Sequence, residues 1–158
     1  MGEEYKYMVV SRCYTYNHAA YIEDALSGFV MQKTTFPVVS VIVDDASTDG
    51  EQDVIINFLE EHFQKPYRDE ETDYARIICA DHNTNLNCKF IVFLLKYNHH
   101  SIKKAKLPYI SEWTNNAKYH AICEGDDYWI DPLKLRASII CPACGRHFEV
   151  WAGELSPQ

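Results

Sequence analysis

Three short polar clusters carry the residues with chemistry to offer. The first is Tyr14-Thr15-Tyr16-Asn17. A tyrosine in a loop can stack on a planar base, and a hydroxyl or amide can bond base edges or phosphates. The second is Asp44-Asp45-Ala46-Ser47-Thr48-Asp49. One of its carboxylates could accept a hydrogen from a pyrimidine imide or a ribose hydroxyl, while Ser47, Thr48 or Asp49 caps a following helix. The third is Glu124-Gly125-Asp126-Asp127-Tyr128-Trp129. Three acids within four residues make a hard-oxygen site for Mg²⁺ or Mn²⁺. Gly125 would let a ligand approach the backbone closely, and Tyr128 and Trp129 would either wall the site or pack below it. Plain turns and caps account for each cluster singly; their joint occurrence is the specific signal.

The elements around these clusters explain why they could meet. Residues 7–13 form a short apolar run with strand character. Over 18–32, Ala19, Ile22, Ala25, Leu26, Phe29 and Val30 recur at helical spacing. Residues 38–43 are an almost unbroken β-branched run, as in a strand buried on both faces. A second helix carries Val54, Ile55, Phe58, Leu59 and His62, and 65–74 is a charged loop. A third strand spans 76–80, and a helix is predicted over 86–97 with Phe90, Ile91, Phe93, Leu94 and Leu95. Residues 99–118 are less regular, with Lys103, Lys104 and Lys106 on a solvated face. A fourth strand covers 119–123, and Asp131-Pro132 opens a helix. Strand and helix alternate, which predicts an α/β fold with a mostly parallel sheet and flanking helices. In such sheets ligands bind outside the carboxyl ends of the strands, where all three clusters would lie.

Composition bounds the function. A chain of 158 residues suggests one domain with a substantial core. A formal net charge of −8 argues against nucleic acid as a partner but not against a nucleotide bridged by a metal ion. Residues 1–6 lack the basic and apolar regions of a secretory signal, and the longest apolar run, 90–95, is far short of a membrane span. The expectation is a cytoplasmic protein with at most peripheral contact with a membrane. Cys13, Cys79 and Cys123 lie in or beside strand-like runs and read as buried free thiols rather than a disulfide framework.

With its three motifs in order, the stretch 7–135 resembles family 2 glycosyltransferases, the inverting class with the GT-A fold, whose nucleotide-binding half is Rossmann-like. The resemblance implies binding of a nucleotide-diphospho-sugar, most simply a UDP-sugar, with Mg²⁺ or Mn²⁺. It further implies sugar transfer to a glycan or lipid-linked acceptor in polysaccharide synthesis. Within it, Tyr16 would stack near the base, Asp45 would bond it, and Asp44 would support the turn. Asp126 would contact the ribose or the metal-bound diphosphate, Asp127 would coordinate the cation, and Glu124 stands where the family often has Asp. Tyr14, Thr15 and Asn17 would complete the donor site. Residues 83–89 stand where the family usually has an Asn-x-Gly loop, but no glycine is present.

The likeness stops after Leu135. Residues 1–136 would form the donor-binding domain and 137–158 an atypical tail. The family's general base lies beyond the third motif, so no residue is assigned that role and the chain is expected to be truncated. Cys141-Pro142-Ala143-Cys144 with His147 resembles half a zinc ribbon. Two alternatives stay open: a fragment that binds nucleotide without transferring sugar, and a small zinc-linked interaction module.

Overall fold

A computed structural model describes residues 5–135 together with the strands at 148–151 and 154–157. The chain order is β1 (Tyr7–Thr15), α1 (Ile22–Val30), β2 (Val38–Asp44), α2 (Glu51–His62), β3 (Arg68–Glu71), β4 (Ala75–Asp81), β5 (Cys88–Leu95), α3 (Leu107–Thr114), β6 (Ala117–Ile122), β7 (Phe148–Trp151) and β8 (Glu154–Pro157). Among the described residues these strands make one sheet in the order β3-β4-β5-β2-β1-β6-β7-β8. The run β5-β2-β1-β6-β7 is parallel, with antiparallel β4 and β3 at one edge and antiparallel β8 at the other.

Every residue of β2 is buried, as an apolar central strand requires. Its side chains alternate between two cores. On one face Val38 and Ile42 join Phe90, Val92 and Leu94 of β5, Ile22, Leu26 and Phe29 of α1, and Ile55, Phe58 and Leu59 of α2. On the other, Val39, Val41 and Val43 join Ile91, Phe93 and Leu95 of β5 with Ile110 and Trp113 of α3. Helices thus cover both faces. The Trp113 ring meets Phe93 edge-on at 5.8 Å.

Two sequence expectations change here. The helix expected over 86–97 is strand β5. Burial on both faces demands apolar residues at every position, which erases the period-2 signal and leaves a run that imitates a helix. The loop expected over 65–74 contains the short edge strand β3, whose residues Arg68-Asp69-Glu70-Glu71 protect the sheet edge with charge. The hairpin joining β4 to β5 places residues 82–87 at the amino end of β5. There the Asn85 amide donates to the carbonyls of Val30 and Gln32, both at 3.0 Å, and holds the end of α1. The stretch 83–89 therefore lies at the opposite end of the sheet from the strand-end clusters. No helix among the described residues is long and apolar enough to cross a membrane. Cys141, Cys144 and His147 lie outside the described residues.

Candidate functional site

Strand register brings the clusters level with one another. Thr15 pairs with Asp44 across β1 and β2, and Asp44 with Leu94 across β2 and β5. The chain runs outward from β1 through β2 to β5, then returns to place β6 on the other side of β1. Such a reversal of strand order opens a crevice at the carboxyl edge. A cleft of about 660 Å³ lies there, lined by Tyr14, Thr15, Tyr16, His18, Asp45, Asn98, His100, Ser101, Lys106 and Glu124.

The loops after β1 and β2 are sewn together. Thr48 N–H donates to Asn17 Oδ1 at 2.8 Å, and Asn17 N–H to Ser47 Oγ at 2.9 Å. Ala19 N–H donates to Asp49 Oδ2 at 3.0 Å. The centre of this seam is Glu51, which is fully buried. It accepts the Thr15 hydroxyl and the His18 N–H at 3.1 Å, and at 2.7 Å it shares the single Ser47 hydroxyl hydrogen with Asp44. Sequence reasoning missed Glu51, because an acid in the first turn of a helix is ordinary. The available signal was its spacing: it precedes Ile55 by four and Phe58 by seven, on the buried face of α2.

Asp44 has no solvent exposure. It accepts Ser47 N–H at 2.9 Å, Ser47 Oγ–H at 2.5 Å and the Gln52 amide at 2.7 Å. Burial pushes its pKa up to about 6 against those hydrogen bonds. Asp44 thus builds the turn, while Asp45 reaches the cleft. The turn needs Ala46 at φ 61°, a left-handed conformation that side chains resist. Ala46→Gly is expected to raise stability by about 0.5–1 kcal/mol. Urea denaturation checks this, and a lowered midpoint would contradict it.

Asp45 also organises a segment that sequence reasoning treated as irregular. Its Oδ1 accepts His99 N–H at 2.7 Å, its Oδ2 accepts His100 N–H at 3.1 Å, and Lys106 Nζ sits 3.2 Å from Oδ2. Asn98 donates to the Asp45 carbonyl at 3.0 Å. Residues 98–106 are thereby folded over the cleft, so Lys106 is a cleft residue rather than part of a solvated face.

The third cluster follows β6. Glu124, Asp126 and Asp127 are exposed, and Asp126 Oδ2 lies 3.9 Å from His18 Nε2. Gly125 has a use other than ligand access. A Cβ there would lie 1.9 Å from Thr15 Oγ1 and 2.5 Å from Thr15 Cβ, so β1 itself occupies the space. Trp129 packs below the site, edge-on to Phe29 at 5.0 Å, whereas Tyr128 is exposed. Gly28 of α1 lets it dock, since a Cβ there would lie 2.9 Å from Trp129 N. Tyr16 is 44% exposed and free to meet a planar ligand. Among the described residues, no three His, Cys, Asp or Glu side chains converge as a ready-made metal site.

No family model matches the chain. Over 125 residues, 79% of the chain, it is 33% identical to uncharacterised proteins of Mycobacterium tuberculosis and Mycobacterium bovis, and spans 28% of their length. Among solved structures, the mannosyltransferase PcManGT from Pyrobaculum calidifontis, in complex with GDP-Man and Mn²⁺, matches with a TM-score of 0.54 and 19% identity. That match covers 90% of this chain and 34% of the other. TarS of S. aureus in complex with UDP matches with a TM-score of 0.43 and 22% identity, over 82% of this chain and 31% of that one. The chain shares the α/β fold of the mannosyltransferase, as its motifs led one to expect.

Proposed function

We propose that this chain binds a nucleotide-diphospho-sugar as the donor-binding part of a glycosyltransferase. The observation that carries this reading is the meeting of all three strand-end clusters at one cleft, where the strand order reverses. The likeness to a mannosyltransferase fold supports it.

In this reading Tyr14 and Tyr16 flank the base, with Asp45 at its edge. Asn17, tied to Thr48, fixes the backbone beneath the donor. Asp126 and Asp127 would hold Mg²⁺ or Mn²⁺. Two exposed carboxylates suit a hard cation that takes its remaining ligands from a diphosphate and water. The cation would supply charge neutralisation at the leaving diphosphate. His18, which lines the cleft, stands 3.9 Å from Asp126; Asp126 and Asp127 are not themselves among the lining residues. The acceptor is a glycan or a lipid-linked sugar, and the general base is assigned to no residue described here.

Calorimetry of the chain with UDP-glucose and with GDP-mannose tests the reading. Binding is expected with Mn²⁺ present and loss of binding on adding EDTA. Asp127→Ala should weaken binding at least roughly 10-fold. Absence of heat with either donor, or an unchanged affinity in Asp127→Ala, would overturn it.

A further inference from the structure

The polar side chains facing the cleft divide into those already engaged within the protein and those with bonding capacity left. Asn98 is engaged at both ends: its amide donates to the Asp45 carbonyl at 3.0 Å, and its Oδ1 accepts Ser101 N–H at 2.7 Å. The Ser101 hydroxyl donates to the Asn98 carbonyl at 2.9 Å, and the Thr15 hydroxyl donates to Glu51. Asp45 and Lys106 differ. A carboxylate oxygen can accept two hydrogens and an ammonium has three to give. Asp45 Oδ1 accepts His99 N–H and keeps a lone pair, and Lys106 directs one N–H at Asp45 Oδ2, 3.2 Å away. The two side chains are only 5% and 16% exposed, so water competes weakly for what remains. Lys106 Nζ also lies 5.7 Å from the centroid of the Tyr14 ring, which walls the same corner of the cleft.

We propose that Lys106 selects the nucleobase, acting beside Asp45 as a donor next to an acceptor. This rests on reading the cleft as a nucleotide-sugar site. An adjacent acceptor and donor complement a lactam edge, where N–H stands next to C=O. Uracil and guanine carry that edge. Held the same way round by the ribose, cytosine and adenine carry the reverse, a bare ring nitrogen beside an amino group. In the reversed pairing the ring nitrogen would face the carboxylate and the amino group the ammonium. Each buried group would then lose water without gaining a partner. Asp45 cannot turn aside to accommodate it, because the His99 and His100 backbone amides grip both of its oxygens. Selection therefore works by rejection as much as by attraction.

Titrating the full chain with UDP, GDP, CDP and ADP in the presence of Mn²⁺ tests this. UDP and GDP are expected to bind at least roughly 10-fold more tightly than CDP and ADP, the discrimination typical of a paired donor and acceptor on a base edge. Lys106→Met should shrink the preference by at least roughly 3-fold, since the contact to the exocyclic group disappears while Asp45 still faces the ring nitrogen. Lys106→Arg keeps a donor and should keep the preference. Thermal melts establish that each variant is folded; if Lys106→Met is not, Lys106→Leu against Lys106→Arg makes the same comparison. Equal binding of all four nucleotides by the unaltered chain, or an undiminished preference in the neutral variant, overturns the selection alone. Binding of none of the four overturns the nucleotide reading and the selection with it.

Discussion

Glu51→Ala is expected to destabilise the protein by about 3 kcal/mol, as measured by urea denaturation. The side chain has no solvent exposure and accepts from the Thr15 hydroxyl, the Ser47 hydroxyl and the His18 N–H. Removing it strands the buried Thr15 hydroxyl and the half-buried His18 N–H, while Ser47 keeps Asp44 Oδ2 at 2.5 Å, and each stranded group costs about 1–3 kcal/mol before the structure relaxes. The damage should also reach function, because those donors belong to the two loops that form the cleft floor. Glu51→Gln is the finer probe. It keeps the shape but turns one acceptor into a donor aimed at another donor, so an intermediate loss is expected. A loss below about 0.5 kcal/mol in the alanine variant would show that the seam does not hold the loops together.

Gly125→Ala carries the second large expectation. The added methyl would sit 1.9 Å from Thr15 Oγ1 and 2.5 Å from Thr15 Cβ. Rotating Thr15 removes the first clash but not the second, because Cβ is fixed to the strand. The turn bearing Asp126 and Asp127 must therefore move away from β1. Overpacking of this kind costs about 1–3 kcal/mol. Calorimetry should show Mn²⁺-dependent nucleotide binding weakened at least roughly 10-fold, since the displaced carboxylates lose their geometry. Thr15→Gly supplies a control. Combined with Gly125→Ala it should recover part of the loss, giving a non-additive double-mutant cycle. Additive effects would show that the two residues do not compete for one space.

Much of this fold was legible because β1, β2 and β6 each end in a motif, and because α1 and α2 keep a clean helical period. β5 was not. Phe90 through Leu95 are all buried, so no polar position remained to reveal the period. The convergence of the three clusters followed from the rule for parallel sheets, and the cleft contains residues from each. What stayed hidden were partnerships across long stretches of chain. Asp45 meets His99 and His100 more than 50 positions away, and Glu51 meets Thr15 across 36. Neither pairing leaves a local trace, since backbone amides accept any sequence and a lone glutamate looks like surface. Gly125 was singled out, yet for ligand access, whereas the neighbour it accommodates is Thr15.

The seam between the first two loops gives the cleft unequal jaws. One is laced by hydrogen bonds through Asn17, Ser47, Asp49 and Glu51. The other is anchored behind its turn, where Cys123 N–H donates to the Arg12 carbonyl at 3.1 Å and Trp129 packs on Phe29, and it meets β1 through Gly125 N–H on the Tyr14 carbonyl at 3.4 Å. A stiff jaw loses little conformational entropy when a ligand arrives, so the contacts it makes translate into discrimination. In the proposed donor-binding reading, fidelity toward the nucleotide would rest on the laced jaw.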